Sequence, residues 1–336
     1  MSRADTVIDL ATARMTFLAT SEKLIVRDVV SSIRFFETLS LDDIRNIVGR
    51  RINASAWDPS YTISLAEADC VYLERREISA LSYWDAAYPA VLREIHDPPY
   101  LLFLRGTLPP GGRPPVSIVG TRRPSRLGRA AAYRTAREVA EIGLPVVSGL
   151  ARGIDTAAHQ GCLDGGGMTV AVLGNGIDAV YPPENKPLAR EILAAGGALI
   201  SEYPPGTPPL KYHFPARNRI ITGLSRGVVI VEAPERSGAL ISAEFALEQG
   251  RDIFVHADGM AGESGVGTAT LAEDGAIVVR NAGEIAEEWG IESLPGRGAS
   301  NDYAIGDTSS EHESAPAAPG ATIAAMIRGE IGGMEY

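Results

Sequence analysis

From residue 115 onward the chain alternates short, continuous apolar runs with stretches of helical periodicity, and this alternation restricts the fold more than any other feature. The runs occupy 115–120, 144–149, 168–174, 198–203, 227–233, 252–257 and 276–280. A strand with one face in water alternates apolar and polar residues, whereas an unbroken apolar run needs cover on both faces. That cover comes from crossover helices, which join strands in parallel. The expected fold class is therefore α/β, with an extended Rossmann-like, doubly wound and mostly parallel sheet over 85–291.

Upstream the pattern changes. Residues 22–80 read as short helices, with Ser40 three residues before Asp43 and Ser64 three before Glu67 as capping boxes. They predict a small N-terminal helical (SAM-like) domain over 1–84. Pro89, Pro98 and Pro99 interrupt the helical pattern, 100–104 is an expected strand closing at Gly106, and 109–112 reads Pro-Pro-Gly-Gly as a joint. Beyond 292 the composition shifts to Gly, Ser, Ala and Pro among acidic residues, the signature of a linker over 292–320. A tail over 321–336 is too short for a complete winged helix.

No uncharged apolar run approaches the roughly 20 residues of a membrane-spanning helix. Asp5 and Asp9 precede any apolar stretch, unlike a secretory signal, so the expected location is cytoplasmic. Cys70 and Cys162 lack the spacing of a zinc pair or a disulfide framework. The net charge of -11 at first opposes a nucleic-acid partner, because phosphate binding is driven largely by Lys and Arg. Its distribution reverses that: residues 113–226 carry 14 Lys and Arg against 8 Asp and Glu, whereas 227–336 carry 5 against 19. A basic centre beside an acidic segment is a localised anion site.

Open parallel sheets bind ligands at the carboxyl ends of their strands. Here those ends hold Gly120-Thr121-Arg122-Arg123, then Ser148-Gly149-Leu150-Ala151-Arg152-Gly153-Ile154-Asp155, then Gly174-Asn175-Gly176-Ile177-Asp178. Glycines admit close backbone approach, and free N–H groups at the following helix starts attract anions. Lys211 and the run Phe214-Pro215-Ala216-Arg217-Asn218-Arg219-Ile220-Ile221 add an aromatic ring, an amide and three cations. An aromatic face stacks an unpaired base while Lys and Arg hold phosphates; the plainer alternative is a buried Phe beside solvated arginines. Gly174 to Ala179 fits GxGxxA, but it follows the third strand and is broken by Tyr181-Pro182-Pro183, a weak dinucleotide signal. The chain has no GxxxxGK[ST], so Walker-type hydrolysis is unsupported. Asp155 and His159 share a helix face at i,i+4 spacing, without a third ligand or a nucleophile, and read as a packing pair; Glu202 and Glu232 read as loop organisers.

Taken in order, the motifs from Ser117 to Arg122, Ser148 to Asp155 with His159, Gly174 to Asp178 with Tyr181-Pro182, Ser201 to Pro204 and Phe214 to Ile221 resemble the DNA processing protein A family, also called DprA or Smf. Val229 to Glu232 with Ser237 to Leu240, and Tyr88-Pro89 through Leu101 to Gly106, extend the resemblance over about 85–290. It implies a cytoplasmic, non-enzymatic protein without a cofactor that binds and protects single-stranded DNA, loads RecA during natural transformation, and forms homodimers. By the same resemblance, Arg122, Lys211 and Phe214 fall at DNA contacts. Gly120, Ser148, Gly149, Arg152, Gly174, Arg217, Asn218 and Arg219 would line the pocket. The chain departs from the family at His256-Ala257-Asp258-Gly259, where Val-Pro-Gly is usual. Two other readings remain at this point: a nucleotide-binding sensor or hydrolase on the same glycine turns, and an interaction scaffold docking through 227–336.

Overall fold

The computed structural model describes residues 2–54 and 56–291. The expected linker (292–320) and tail (321–336) lie outside the described residues. Five helices come first: α1 (Arg3–Ala13), α2 (Thr20–Val29), α3 (Ile33–Glu37), α4 (Leu41–Val48) and α5 (Pro59–Arg75). There follow β1 (Ile78–Ser82), α6 (Ala90–Arg93), β2 (Leu101–Gly106), β3 (Val116–Val119), α7 (Arg126–Glu141), β4 (Val146–Ser148), α8 (Ile154–Asp164), β5 (Thr169–Val172) and α9 (Lys186–Ala194). The chain continues as β6 (Ala198–Ser201), α10 (His213–Gly223), β7 (Gly227–Ile230), α11 (Gly238–Glu248), β8 (Asp252–His256), α12 (Val266–Glu273), β9 (Ile277–Val279) and α13 (Ala282–Glu288).

The nine strands form one sheet in the order β1-β2-β6-β5-β4-β3-β7-β8-β9. All pairings from β6 to β9 are parallel, while β1 with β2 and β2 with β6 are antiparallel. The apolar runs lie where the sequence predicts them, and their unbroken hydrophobicity has the expected cause. Val170 and Val172 of β5 point into one core with α10 and α11, whereas Ala171 and Leu173 point into another with α9 and the N-terminal helices. A third cluster joins α7, α8 and α13 to β3, β7 and β8. Chain progression reverses between β3 and β7, so a crevice opens at their carboxyl ends.

Two local expectations are corrected. Ser40 and Asp43 form the predicted capping box on α4, but Ser64 and Glu67 sit inside α5. Asp58 accepts the Tyr61 N–H and Pro59 occupies the first turn, so that helix starts upstream at a stronger signal. Strand β1 carries no sequence signal of its own and exists as the antiparallel edge partner of β2. The helical segment shares a core with the sheet, since Phe103, Leu150 and Leu199 pack in the same cluster as Ile8, Leu10 and Phe36. A buried polar link accompanies it: Asp9 accepts from Arg27 Nε at 2.5 Å and from the Tyr100 hydroxyl at 2.9 Å. Among the described residues no helix is long and apolar enough to cross a membrane. Cys70 and Cys162 are buried and free.

His159 and Asp155 are not bonded to each other. The Thr169 hydroxyl donates to Val146 O at 2.9 Å, so it accepts from His159 Nδ1 at 2.7 Å, and His159 Nε2 is a buried acceptor without a partner among the described residues. Protonating Nε2 places an unsolvated charge in the core near Arg217; burial foremost pushes the imidazole down from 6.5 to about 3. Below pH 6.5 the unfolded chain binds a proton that the native ring refuses until about pH 3, so stability falls across that window as the pH drops. The expected slope is up to about 1.4 kcal/mol per pH unit. Chemical denaturation at pH 7, 5.5 and 4 checks this, with His159→Gln expected to lose less stability on acidification than the native chain; equal losses would refute the assignment.

Candidate functional site

The carboxyl edge of the sheet gathers the turns after β3, β4, β5 and β7 around the first turns of α10. Phe214, Arg217, Asn218 and Ile221 recur at i, i+3, i+4 and i+7, one face of that helix. That face borders a cleft of about 340 Å³ whose other walls include Gly120, Arg122, Arg123, Asp155, Arg236 and Ser237. A smaller adjoining cavity of about 40 Å³ is bounded by Arg122, Gly149, Arg152, Tyr181, Phe214 and Arg217. Helical geometry separates the two arginines of the Arg-Asn-Arg run. Two residues apart, they lie about 200° apart around the axis.

Arg217 is 3% exposed and supports the floor of both cavities. Its Nη1 donates to Gly149 O at 2.7 Å and to Val172 O, joining the ends of β4 and β5. Nε reaches Asn218 Oδ1 at 3.3 Å, and Nη2 has no protein partner among the described residues. Burial holds its acidity near 10, below the usual value for arginine, partly offset by the Asp155 carboxylate. Arg217 therefore stays charged at neutral pH. Burial likewise raises the Asp155 carboxyl, against the opposing pull of Arg217. The guanidinium lies so close over Gly149 that a Cβ there would come within 2.6 Å of Cζ. Leu150 follows in a left-handed conformation (φ 56°), at a cost of about 1–2 kcal/mol, with its carbonyl held by Asn185 Nδ2 at 2.8 Å.

Phe214 stands half-buried at the mouth of the cleft. Its ring rests on Gly174, where a Cβ would meet Cδ1 at 2.8 Å. The Arg122 guanidinium lies 5.2 Å from the ring centroid, a cation–π distance, and the exposed ring of Tyr181 lies 5.5 Å away at 38°. Tyr181 belongs to a motif noted in the sequence, but only the fold brings it beside Phe214. Glu232 is buried and organises the β3 turn: it accepts from Ser125 N at 2.9 Å and from Ser125 Oγ at 2.7 Å. Asn218 Nδ2 donates to Gly238 O at 3.0 Å, fixing the α11 turn against α10.

The structure thus brings together Gly120, Arg122, Gly149, Arg152, Gly174, Phe214, Arg217 and Asn218. Two expected pocket residues, Ser148 and Arg219, and one expected DNA contact, Lys211, border neither cavity. Ser148 is buried beneath the edge, donating to Ile118 O at 2.7 Å. Arg219 turns to the opposite face of α10, where Nη2 pairs with Glu202 at 2.7 Å and Nε with Asp97 at 3.0 Å. Lys211 is exposed and borders neither cavity. Arg152 is exposed and bound to Glu184. Residues that sequence reasoning passed over include Arg123, Arg236 and Asp155 as cleft walls; Arg123 stood in a quoted motif, while Arg236 had no distinguishing signal. Among the described residues no group of three or more His, Cys, Asp or Glu is placed to hold a metal ion.

A doubly wound sheet with glycine turns, a free guanidinium edge and an aromatic ring at its switch-point crevice is that of a Rossmann-like protein with a candidate anion site. The chain belongs to the DNA recombination-mediator protein A family, whose model matches residues 79–290. It is 40% identical over 253 residues to the DNA processing protein DprA of Streptococcus pneumoniae, covering 75% of this chain and 88% of that protein. It is 39% identical over 231 residues to protein Smf of Escherichia coli, covering 68% of this chain and 62% of the relative. The X-ray structure of the pneumococcal DprA superposes with a TM-score of 0.67 at 36% identity, over 86% of this chain and 99% of that one. A structure of DNA processing protein A from Helicobacter pylori, described for its single-stranded DNA binding mode, superposes with a TM-score of 0.55 at 29% identity, over 63% of this chain and 95% of that one.

The arginines are expected to separate in stability measurements. Arg219→Ala strands the largely buried Glu202 without its partner and should cost about 3 kcal/mol. Arg122→Ala removes an exposed side chain and should cost under about 0.5 kcal/mol. Urea unfolding of the two variants checks the ordering, and similar losses would show that Arg219 is not a structural pair.

Proposed function

We propose that single-stranded DNA binds at the cleft, with Phe214 stacking an unpaired base while Arg122, Arg152 and the free Nη2 of Arg217 hold phosphates there and Lys211 holds one outside it. Gly120, Gly149 and Gly174 allow the backbone to approach the strand, and Ser148, Asn218 and Arg219 hold the turns and helix that shape the pocket. The observation that carries this reading is the position of the Phe214 ring, half-exposed beside Arg122 and at the rim of a crevice floored by a desolvated guanidinium. A ring so placed offers a surface that every base can use, and the surrounding cations supply the sequence-independent attraction to phosphate. Membership in a recombination-mediator family and the single-stranded DNA binding described for the Helicobacter relative support it.

In this reading the protein is a cytoplasmic, non-enzymatic mediator that protects incoming single strands and delivers them to a RecA recombinase during transformation or recombination, acting as a homodimer. The cleft volume of about 340 Å³ also suits a mononucleotide, so a nucleotide sensor is the competing reading. Length dependence separates them, because a polymer binder gains affinity from mononucleotide to oligo(dT) and a nucleotide sensor does not.

Phe214→Ala is expected to weaken oligo(dT) binding by about 1–3 kcal/mol in fluorescence anisotropy. Arg122→Ala should weaken it too and lower the salt slope by about 0.7. Duplex DNA should bind less tightly, since a paired base cannot present its face to the ring. Unchanged oligo(dT) affinity in both variants would refute the cleft assignment.

A further inference from the structure

Beside the Phe214 cleft lies a second, more open depression of about 700 Å³, bordered by Pro124, Ser125, Arg126, Arg129, Tyr133 and Gln160 among others, none of them acidic. The two are joined through one turn: Arg122 and Arg123 border the first, and Pro124 and Ser125 the second. Arg126, Arg129 and Tyr133 follow at i, i+3 and i+7 on one face of α7. Both arginines are exposed. Along this stretch Arg134 is neutralised by Asp258 at 2.6 Å and Arg137 by Glu141 at 2.8 Å. Arg122, Arg123, Arg126 and Arg129 have no carboxylate within 4.0 Å among the described residues.

Arg123, Arg126 and Arg129 thus stand exposed without a paired carboxylate beside Arg122, whose nearest acidic neighbour is the Asp155 wall of the cleft, in a chain whose net charge of -11 offers many carboxylates elsewhere. An arrangement of this kind is stabilised by an external polyanion, and its continuity with the cleft identifies which one. We infer that a single strand leaving the Phe214 cleft runs over Arg123 onto the Arg126–Arg129 face of α7, which holds the phosphates that extend beyond the cleft. This rests on the single-stranded DNA reading of the cleft and adds to it a direction and a minimum length. A strand short enough to fill only the cleft does not reach α7; a longer one does.

The test compares oligo(dT) of about 6 and about 20 nucleotides, lengths within and beyond one compact binding site, by fluorescence anisotropy. The double variant Arg126→Glu, Arg129→Glu is expected to bind the short strand as the native chain does. It should bind the long strand about ten-fold or more weakly, with a salt slope smaller by about 1.4, the share of two phosphate contacts. Lysine at both positions should restore most of the long-strand affinity. A control with the same charge change on α5 and the residue after it, Arg75→Glu with Arg76→Glu, should leave long-strand affinity within about two-fold. Equal losses for both lengths, no loss for either, or an equal loss in the control overturns the track. Failure of the cleft itself is recognised separately, by Phe214→Ala leaving short-strand affinity unchanged, and it overturns the track as well because the track begins there.

Discussion

The geometry of the carboxyl edge depends on the burial of one positive charge. Arg217 loses its hydration beneath the ends of β4 and β5, and the loss is offset by the carbonyls of Gly149 and Val172 and by the field of Asp155. A desolvated guanidinium without such partners costs several kcal/mol, so each partner is constrained in turn. Position 149 admits no side chain, because a Cβ would meet the guanidinium plane. The backbone after it takes a left-handed step at Leu150. With Arg217 fixed, the face of α10 that carries Phe214 and Asn218 is fixed as well, and the ring is held at the mouth of the crevice.

The same helix has a second face with a different purpose. Arg219, Glu202 and Asp97 form an ion-pair group on the side away from the cleft, and Gln249 Nε2 donates to the Arg219 carbonyl at 3.0 Å. One short run of alternating cations therefore supplies an inward guanidinium that shapes the site and another that anchors the helix. The acidic excess of the chain does not oppose this arrangement. At a Debye length of about 8 Å in physiological salt, distant exposed carboxylates are screened from the crevice.

The parallel strands were legible because a strand buried on both faces leaves an unbroken apolar run, and neither packing partner needs to be known to see it. Strand β1 left no such mark: Ile78 and Ser82 are buried while Ser79 is exposed, a pattern too short to separate from a loop until β2 supplies its hydrogen bonds. The start of α5 was misplaced because Ser64 and Glu67 imitate a capping box, whereas Asp58 and Pro59 upstream meet the same need for unpaired N–H groups more directly. Residues of the site were legible as a set of glycine turns and cations. Their division into floor, rim and anchor was not, since Arg217 and Arg219 have the same chemistry and differ only in the direction they leave the helix.

By itself, the sequence determined the doubly wound sheet, the edge of that sheet at which chemistry gathers, and the concentration of positive charge in its middle third. Those properties follow from local periodicity and composition, which are summed along the chain. Only the tertiary structure decided that Tyr181 stands beside Phe214, that the Asp155 charge acts on Arg217 while His159 turns to Thr169, and that Arg122, Arg123, Arg126 and Arg129 have no carboxylate within 4.0 Å among the described residues while Arg134 and Arg137 do. Each is a relation between groups brought together by crossover connections, and the energy of a charge or a ring depends on which neighbours replace water around it.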